Sequence, residues 1–291
     1  MGVRGIAVFA LLLLAGCTGG VLDAQGPVGA ADRQMMLNAL AIMLAIALPT
    51  IVLAFVAAWW FRASNPRARR RPHWVYSGRI ELVVWSIPLL VILFLAGVIW
   101  VGSHRVDPYR PISNAKPLDV QVVSLDWKWL FIYPQEGIAT VNELTLPEGV
   151  PVHFFLTSAS VMNAFFVPQL GSMVATMNGM VTQLYLQADH PGDYYAESTQ
   201  FSGDGFSGMN FVVHAVPPER FRQWVGSAHA SGPALDRTSY EALARESMNV
   251  RPFTYRAVEP GLFQAIATQQ IAPQAGPRHG RGGVGVNPRG D

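Results

Sequence analysis

Two long apolar runs without any charged side chain occupy the first third of the chain. They cover residues 39–61 and 82–101. Each run is long enough to cross the hydrocarbon core of a bilayer as a helix, which takes roughly 20 apolar residues. Pro49 and Pro88 lie inside the runs, but membrane helices tolerate proline because neighbouring groups satisfy the freed carbonyl. We therefore predict two transmembrane helices, over residues 39–61 and 80–101.

The pattern changes to short alternating segments between residues 118 and 216. Apolar and polar positions alternate over residues 119–125, 141–146, 181–186 and 209–213, and turns rich in Pro, Gly and Asp separate them. This alternation is typical of half-buried strands. About seven or eight short strands in roughly 100 residues indicate a Greek-key sandwich or barrel with its own core.

Helical patterns return after residue 216. We predict a C-terminal helical extension over residues 217–272, with short helices near 218–225, 239–247 and 263–271, the second capped by Ser239. Residues 273–291 are rich in Gly, Pro and Arg and contain little that could be buried, so we predict a disordered tail there.

The first 16 residues have the composition of a cleaved signal. Arg4 precedes a short apolar stretch that is too short to cross a bilayer. The sequence Leu-Ala-Gly-Cys ending at Cys17 also resembles a lipobox, which predicts that Cys17 becomes an acylated N-terminus. The alternative is an ordinary cleaved signal in which Cys17 is incidental. Residues 17–38 then form an outer N-terminal segment.

The loop between the two apolar runs, residues 62–79, carries six arginines and no acidic residue. Short loops rich in arginine remain in the cytoplasm. Both ends of the predicted hairpin therefore face the outside, with the β-domain on the periplasmic side of a bacterial inner membrane. Lipidation at Cys17 would independently place the N-terminus on that side.

The charge and the cysteine count exclude several functions. The formal net charge of +2 is too small to indicate binding to nucleic acid. Because Cys17 is the only cysteine, the chain cannot form an internal disulfide or any site that needs two thiolates.

Four segments resemble subunit II of the haem-copper oxidases. Residues 126–133 resemble its aromatic segment, residues 161–171 and 198–209 its two copper-ligand loops, and residues 79–88 the entry to its second helix. The resemblance runs from about residue 35 to residue 263, and the lipobox matches the quinol-oxidising, cytochrome bo-type branch. It implies a two-helix transmembrane hairpin and an all-β cupredoxin-like outer domain, followed by short C-terminal helices.

The resemblance also shows where copper ligands would lie. In the cytochrome c oxidases, two cysteines, two histidines, a methionine and a carbonyl hold two copper ions, and the soft thiolates bridge them. The corresponding positions here are Asn163, Ser198, Ser202, Phe206 and Met209. A hydroxyl is a poor copper ligand at neutral pH, and one thioether cannot hold a metal. We therefore expect this chain to bind no metal and no cofactor, and we expect Phe206 to fill the vacated space.

A copper-free subunit II implies a particular electron donor. Without copper the chain has no route for an electron from cytochrome c, whereas a lipid-soluble quinol can reach a membrane-embedded subunit directly. The resemblance thus implies a quinol:oxygen oxidoreductase that oxidises ubiquinol, reduces oxygen to water and pumps protons. Subunit I of that complex would hold the haems and the remaining copper, and further subunits and the lipid bilayer would be the other partners.

Glu81 is the only acidic residue close to either apolar run, at the predicted cytoplasmic start of the second helix. A carboxylate at the edge of hydrocarbon is costly unless it faces water, protein or a pathway. The resemblance implies that Glu81 lies at the entrance of a proton-uptake channel formed with subunit I. The alternative is an interfacial acid favoured by the helix dipole, paired with Arg79.

Two tryptophans and three histidines have alternative roles to weigh. Trp127 and Trp129 could transfer electrons, but without copper we expect them to serve core packing or docking on subunit I. His153, His190 and His214 show no metal-ligand spacing, so we expect surface or partly buried histidines.

Two other functions stay open at this point. One is a copper-bearing cytochrome c oxidase subunit II, which the cysteine count disfavours. The other is a stand-alone membrane lipoprotein that serves as a binding module, which the two adjacent spans disfavour because one span would suffice as a tether.

Overall fold

The computed structural model describes residues 20–69, 73 and 75–276. Cys17 and the predicted signal that precedes it lie outside the described residues, as do residues 277–291 of the predicted tail. The described chain forms two compact units. Residues 31–106 form a helical unit, and residues 107–276 together with residues 20–30 form a unit built around β-sheets.

The helical unit contains two long helices, α1 (Pro27–Trp60) and α2 (Gly78–Arg105). Both are long and apolar enough to cross a membrane. Pro49 and Pro88 lie inside them, as the sequence predicts. The hydroxyl of Thr50 donates to the carbonyl of Ile46, 2.8 Å away, in the turn that contains Pro49. Both helices therefore meet the length and composition that the two predicted membrane spans require.

Helix α1 begins at Pro27 rather than near residue 39, where the apolar run starts. Proline suits the first turn of a helix because its amide needs no partner there. The following residues are mostly Ala, Gln, Met and Leu, which are strong helix formers, so the helix extends beyond the apolar segment. Hydropathy locates the part of a helix that fits the membrane, not the start of the helix.

Ten strands form the two main sheets of the β unit between residues 118 and 216. They are β1 (Leu118–Leu125), β2 (Lys128–Tyr133), β3 (Ile138–Val141), β4 (Glu143–Pro147), β5 (Val152–Ser158), β6 (Asn163–Phe166), β7 (Val174–Thr176), β8 (Thr182–Leu186), β9 (Gly192–Ser198) and β10 (Asn210–Val216). The five-stranded sheet has the order β4-β10-β9-β6-β7. Strand β1 pairs with β2 in antiparallel and with β5 in parallel orientation.

The C-terminal extension adds three helices and three short strands. They are α3 (Pro218–Ala230), β11 (Ala234–Leu235), α4 (Arg237–Ala244), β12 (Phe253–Tyr255), β13 (Ala257–Val258) and α5 (Leu262–Ala267). Strand β12 joins the larger sheet, whose order is β12-β3-β2-β1-β5-β8. The predicted fold class, two apolar helices followed by a cupredoxin-like sandwich and short C-terminal helices, is confirmed.

An aromatic core fills the space between the two sheets. Trp129 and Phe131 of β2 project into it from one sheet, and Phe165 and Phe211 project from the other. The rings of Phe131 and Phe211 lie 4.9 Å apart between centroids, and those of Trp129 and Phe165 lie 5.7 Å apart, edge to face. Such pairs add about 0.5–1.5 kcal/mol each beyond the apolar area that they bury.

The extension covers the opposite face of the larger sheet. Leu130 and Ile132 of β2 point away from the aromatic core and pack with Tyr240, Phe263 and Ile266 of the extension in a second apolar cluster. Every residue of β2 is therefore buried. The extension belongs to the β unit as an integral part of its packing.

The prediction that Ser239 caps a helix is wrong in detail. Helix α4 begins earlier, and the carboxylate of Asp236 is its N-cap, accepting a hydrogen bond from the amide of Ser239 at 2.8 Å. The Ser239 hydroxyl accepts from the Asp236 amide in return, which completes a capping box. A serine can serve at either end of this motif, so the sequence alone left the register open.

The segment before α1 and the first turn of α1 are attached to the β unit by backbone hydrogen bonds. The amide of Gln25 donates to the carbonyl of Gln169 at 2.7 Å, and its carbonyl accepts from the amide of Asp189 at 2.9 Å. The amide of Gly29 donates to the carbonyl of Leu170 at 2.9 Å. Residues 20–30 are thus an ordered part of the β unit.

Candidate functional site

The positions predicted to correspond to copper ligands lie at the ends of strands β6 and β9 and in the loop that follows β9. Asn163 begins β6, and Ser198 ends β9. We call residues 199–209, which connect β9 to β10, the second ligand loop. Strand β6 pairs with β9, so the sheet itself brings Asn163 close to Ser198.

Three of the five predicted positions are brought together. The hydroxyl of Ser198 donates to Oδ1 of Asn163 at 3.2 Å, and the amide of Ser198 donates to the carbonyl of Met209 at 3.1 Å. All three side chains are buried. Met209 belongs to the aromatic core cluster, where its thioether packs among apolar side chains.

The other two predicted positions lie further along the second ligand loop. The carbonyl of Ser202 accepts a hydrogen bond from the indole of Trp127 at 3.0 Å. Phe206 starts a single turn of 3₁₀ helix, Phe206–Gly208, and is only half-buried. Its ring packs edge to face on Phe201, which is exposed. Phe206 therefore does not fill a sealed interior, and our expectation for it is wrong.

The donors at these positions do not fit a dinuclear copper centre. Such a centre needs bridging thiolates and imidazoles, which are soft or borderline ligands. Asn163 and Ser198 offer hard oxygen atoms that already bond to each other. Phe206 has no donor atom at all. Among the described residues, no group of three or more His, Cys, Asp or Glu is arranged to hold a metal ion.

A strained turn holds an aromatic ring against the second ligand loop. Asp126 and Trp127 form the two-residue turn between β1 and β2, and Trp127 has a φ of 61°. Few bulky residues adopt this left-handed conformation, which costs of order 1–3 kcal/mol. The strain is offset by burial of the ring, by its hydrogen bond to Ser202, and by Gly205, whose missing side chain leaves room for the indole.

Lys128 is buried next to this turn, and its ammonium is fully hydrogen-bonded. It donates to the carbonyl of Arg245 at 2.7 Å, to the hydroxyl of Ser247 at 2.7 Å and to the carbonyl of Asp126 at 3.2 Å. An ammonium has three donors, so all of them are used. Desolvation by burial lowers the pKa of Lys128 to about 8, although nearby Asp126 and Glu246 favour its charged form.

The carboxyl of Asp126 shares this buried environment. Burial raises its pKa above the ordinary value, while a hydrogen bond from the Ser160 hydroxyl and the charge of Lys128 act in the opposite direction. Sequence analysis missed this cluster. The available signal was a lysine between two tryptophans in an otherwise apolar segment, which indicates a buried charge with dedicated partners.

Three buried polar atoms near the turn and the second ligand loop have no hydrogen-bond partner among the described residues. They are Nε1 of Trp129, Oγ of Ser202 and Oδ2 of Asp204.

Trp129 is fully buried in the aromatic core, and Trp127 is 2% exposed. The burial of both tryptophans agrees with the core-packing alternative of our expectation, and docking on subunit I stays a prediction.

The histidines lie away from the ligand loops. The ring of His153 stacks on Tyr185 at 4.1 Å and bonds to Gln183 at 2.8 Å. His214 lies between two carboxylates, 2.6 Å from Asp193 and 3.6 Å from Glu143. Both histidines are partly buried and bonded within the sheets, as predicted.

Glu81 belongs to the other unit. It lies in the first turn of α2, is exposed, and donates its backbone amide to the carbonyl of Ser77 at 3.0 Å. The predicted ion pair with Arg79 is not formed among the described residues. An acid in the first turn is favoured by the helix dipole, but the exposed side chain leaves its carboxylate accessible.

Comparison with known proteins gives matches over most of the chain. Residues 120–216 match the family model for the periplasmic domain of cytochrome c oxidase subunit II, and residues 229–274 match the COX aromatic rich motif. Ubiquinol oxidase subunit 2 of Acetobacter aceti is 48% identical over 262 residues, which cover 89% of this chain and 85% of that protein. Cytochrome bo(3) ubiquinol oxidase subunit 2 of Pseudomonas aeruginosa is 43% identical, covering 92% and 81%.

Proposed function

The chain belongs to the subunit II family of ubiquinol oxidases, and from this premise we propose that it is the non-catalytic subunit II of a proton-pumping terminal oxidase. The complex oxidises ubiquinol and reduces oxygen to water. Subunit I holds its haems and its copper, and this chain contributes a copper-free outer domain. The observation that carries the proposal is the donor set at the ligand positions, which is unsuited to copper.

The burial of Trp127 supports a donor other than cytochrome c. A soluble carrier protein needs an exposed group near the redox centre that it reduces. Trp127 is 2% exposed, and its indole is bonded to Ser202 rather than presented to solvent. In the described part of the chain, no suitable copper ligands lie next to Trp127. In this proposal, electrons therefore enter the complex from a quinol dissolved in the bilayer.

Metal analysis with a matched positive control tests this assignment. We expect the purified wild-type complex to hold only the copper of subunit I and to lack the near-infrared band of a dinuclear centre. A variant with Asn163→His, Ser198→Cys, Ser202→Cys and Phe206→His restores the missing ligands beside Met209, and we expect it to gain copper and the band. Additional copper and the band in the wild-type complex would instead support the cytochrome c oxidase alternative.

We also propose that Cys17 is acylated and that both ends of the chain lie on the periplasmic side. The arginines at positions 62, 67, 69, 70, 71 and 79 support a cytoplasmic loop. Replacing Cys17 with Ala should remove the lipid, detected as a mass decrease, while the two helices keep the chain in the membrane fraction. An unchanged mass would remove the lipidation proposal.

Glu81 forms part of a proton-uptake entrance in this proposal. Its carboxylate is exposed at the start of α2, on the side of the membrane that the arginine-rich loop assigns to the cytoplasm. We expect Glu81→Gln to slow oxygen reduction and Glu81→Asp to retain most of it, because only the latter keeps a titratable group. Haem content and subunit composition serve as controls for assembly. Equal turnover of the Gln and wild-type complexes would rule out the entrance role.

A stand-alone lipoprotein module predicts a different behaviour on purification. In mild detergent such a module would be isolated alone, whereas a subunit II brings haem-containing partners with it. The chain belongs to the ubiquinol oxidase family, which favours co-purification with haem-containing partners.

A further inference from the structure

The helical unit contains a groove with apolar walls and one polar end. It has a volume of about 620 Å³ and runs between the N-terminal part of α1 and the C-terminal part of α2. This volume is in the range of small-molecule binding sites. The two helices approach closely at Gly102, where an added Cβ would lie 3.2 Å from Cγ of Met35, whereas Gly97 has open space beside it.

The polar end of the groove carries hydrogen-bond donors without an anion to bind. Gln34 and Asn38 line it, and Gln34 donates to the amide oxygen of Asn38 at 2.8 Å. Arg105 lines the same end. Its guanidinium forms no hydrogen bond or ion pair among the described residues. Guanidinium matches phosphate oxygens in geometry as well as charge.

The apolar part of the groove extends away from this end along α2. Leu93, Phe94, Val98 and Val101 line it. Leu93 and Arg105 are separated by roughly 18 Å along the helix, at 1.5 Å per residue. Trp100, near the end of α2, marks the level of the membrane interface, so Arg105 reaches the headgroup layer while Leu93 lies among acyl chains.

We propose that this groove binds one phospholipid, with its phosphate on Arg105 and the amides of Gln34 and Asn38, and one acyl chain along Leu93 and Phe94. An apolar helix of another subunit would leave the guanidinium without a counter-charge. A neutral quinol offers no anion either. The charge at one end and the apolar walls elsewhere together fit an anionic headgroup with a hydrocarbon chain.

Lipid analysis of the whole complex tests the proposal with two variants and two controls. Arg105→Gln removes the phosphate contact, and Gly97→Leu fills the open space with a side chain. Arg110→Gln removes an exposed arginine that does not line the groove, and Ala96→Leu adds similar bulk outside it. Each complex is washed in detergent, and the retained phospholipid is counted by mass spectrometry against haem.

We expect the wild-type complex and both controls to retain one phospholipid more than the two groove variants. Arg105→Gln should lower lipid affinity about tenfold, as expected for the loss of a charge-assisted hydrogen bond. Equal phospholipid counts in all complexes would overturn the proposal, as would a quinone as the molecule lost from Gly97→Leu. Arg105→Gln is an exposed substitution, so it decides the question even if Gly97→Leu fails to assemble.

Discussion

The buried Lys128 makes the stability of the β unit depend on pH in a specific way. Burial lowers its pKa from 10.5 to about 8. In the window between these values the unfolded chain binds a proton that the folded chain has released, so stability rises as pH increases. The drop in pKa corresponds to about 3 kcal/mol in total, of which about 2.5 kcal/mol is gained between pH 7 and pH 10.

Lys128→Met removes this dependence and provides the comparison. We expect the difference in unfolding free energy between wild type and variant to shift in favour of wild type by about 2.5 kcal/mol from pH 7 to pH 10. Other titrating groups are common to both proteins, so they cancel to a first approximation. Urea unfolding of the detergent-solubilised chain, followed by tryptophan fluorescence, measures the difference.

The sign and the pH window distinguish the proposed cause from ordinary loss of contacts. At any single pH the variant also loses the hydrogen bonds to Arg245 and Ser247, which changes stability by a constant amount. Only a buried lysine with a lowered pKa makes that difference grow with pH. A difference that stays flat from pH 7 to pH 10 would refute the reasoning.

Substitutions at four further positions test the packing around the turn and the sheets, and each is measured by urea unfolding. Gly205→Ala should lower the free energy of unfolding by about 1–3 kcal/mol, because the added Cβ would lie 2.5 Å from Cε3 of Trp127. As a control, Gly226→Ala should raise it by about 0.5–1 kcal/mol, because Gly226 lies in helix α3 with open space beside it. Asn142→Ala should cost about 1 kcal/mol more than Asn142→Gly, because the residue has a φ of 54°. Tyr133→Phe should cost about 1–3 kcal/mol by leaving the backbone amide and carbonyl of Thr145 without their phenol partner. Stabilities unchanged by these substitutions would contradict the packing described.

Alternation predicted the strands that have one face toward the core and missed those covered on both faces. Strand β8, Thr182–Leu186, alternates in burial, and the sequence shows it. Strand β2 is buried at every position, so the aromatic segment carried no alternation. Residues 141–146 were predicted as one alternating segment, but Asn142 has a left-handed conformation and separates β3 from β4. The alternation of apolar and polar residues does not indicate such an interruption.

Parts of the C-terminal extension depend on pairing with residues that are distant in the chain, so the local sequence could not predict their structure. Strand β12 has three residues and forms only because Phe253–Tyr255 pairs with β3. Lys128 is tied to Arg245, which is 117 residues away in the chain. By contrast, Asn163, Ser198 and Met209 could be grouped in advance from the spacing of the family motif, and the structure brings them together.

Oxygen uptake by the purified complex tests the central claim most directly. The claim is that electrons enter from a quinol because the outer domain holds no copper. We expect ubiquinol to support turnover and reduced cytochrome c to give a rate no higher than the background without enzyme. Oxygen uptake driven by cytochrome c at a rate comparable to that with ubiquinol would contradict the account.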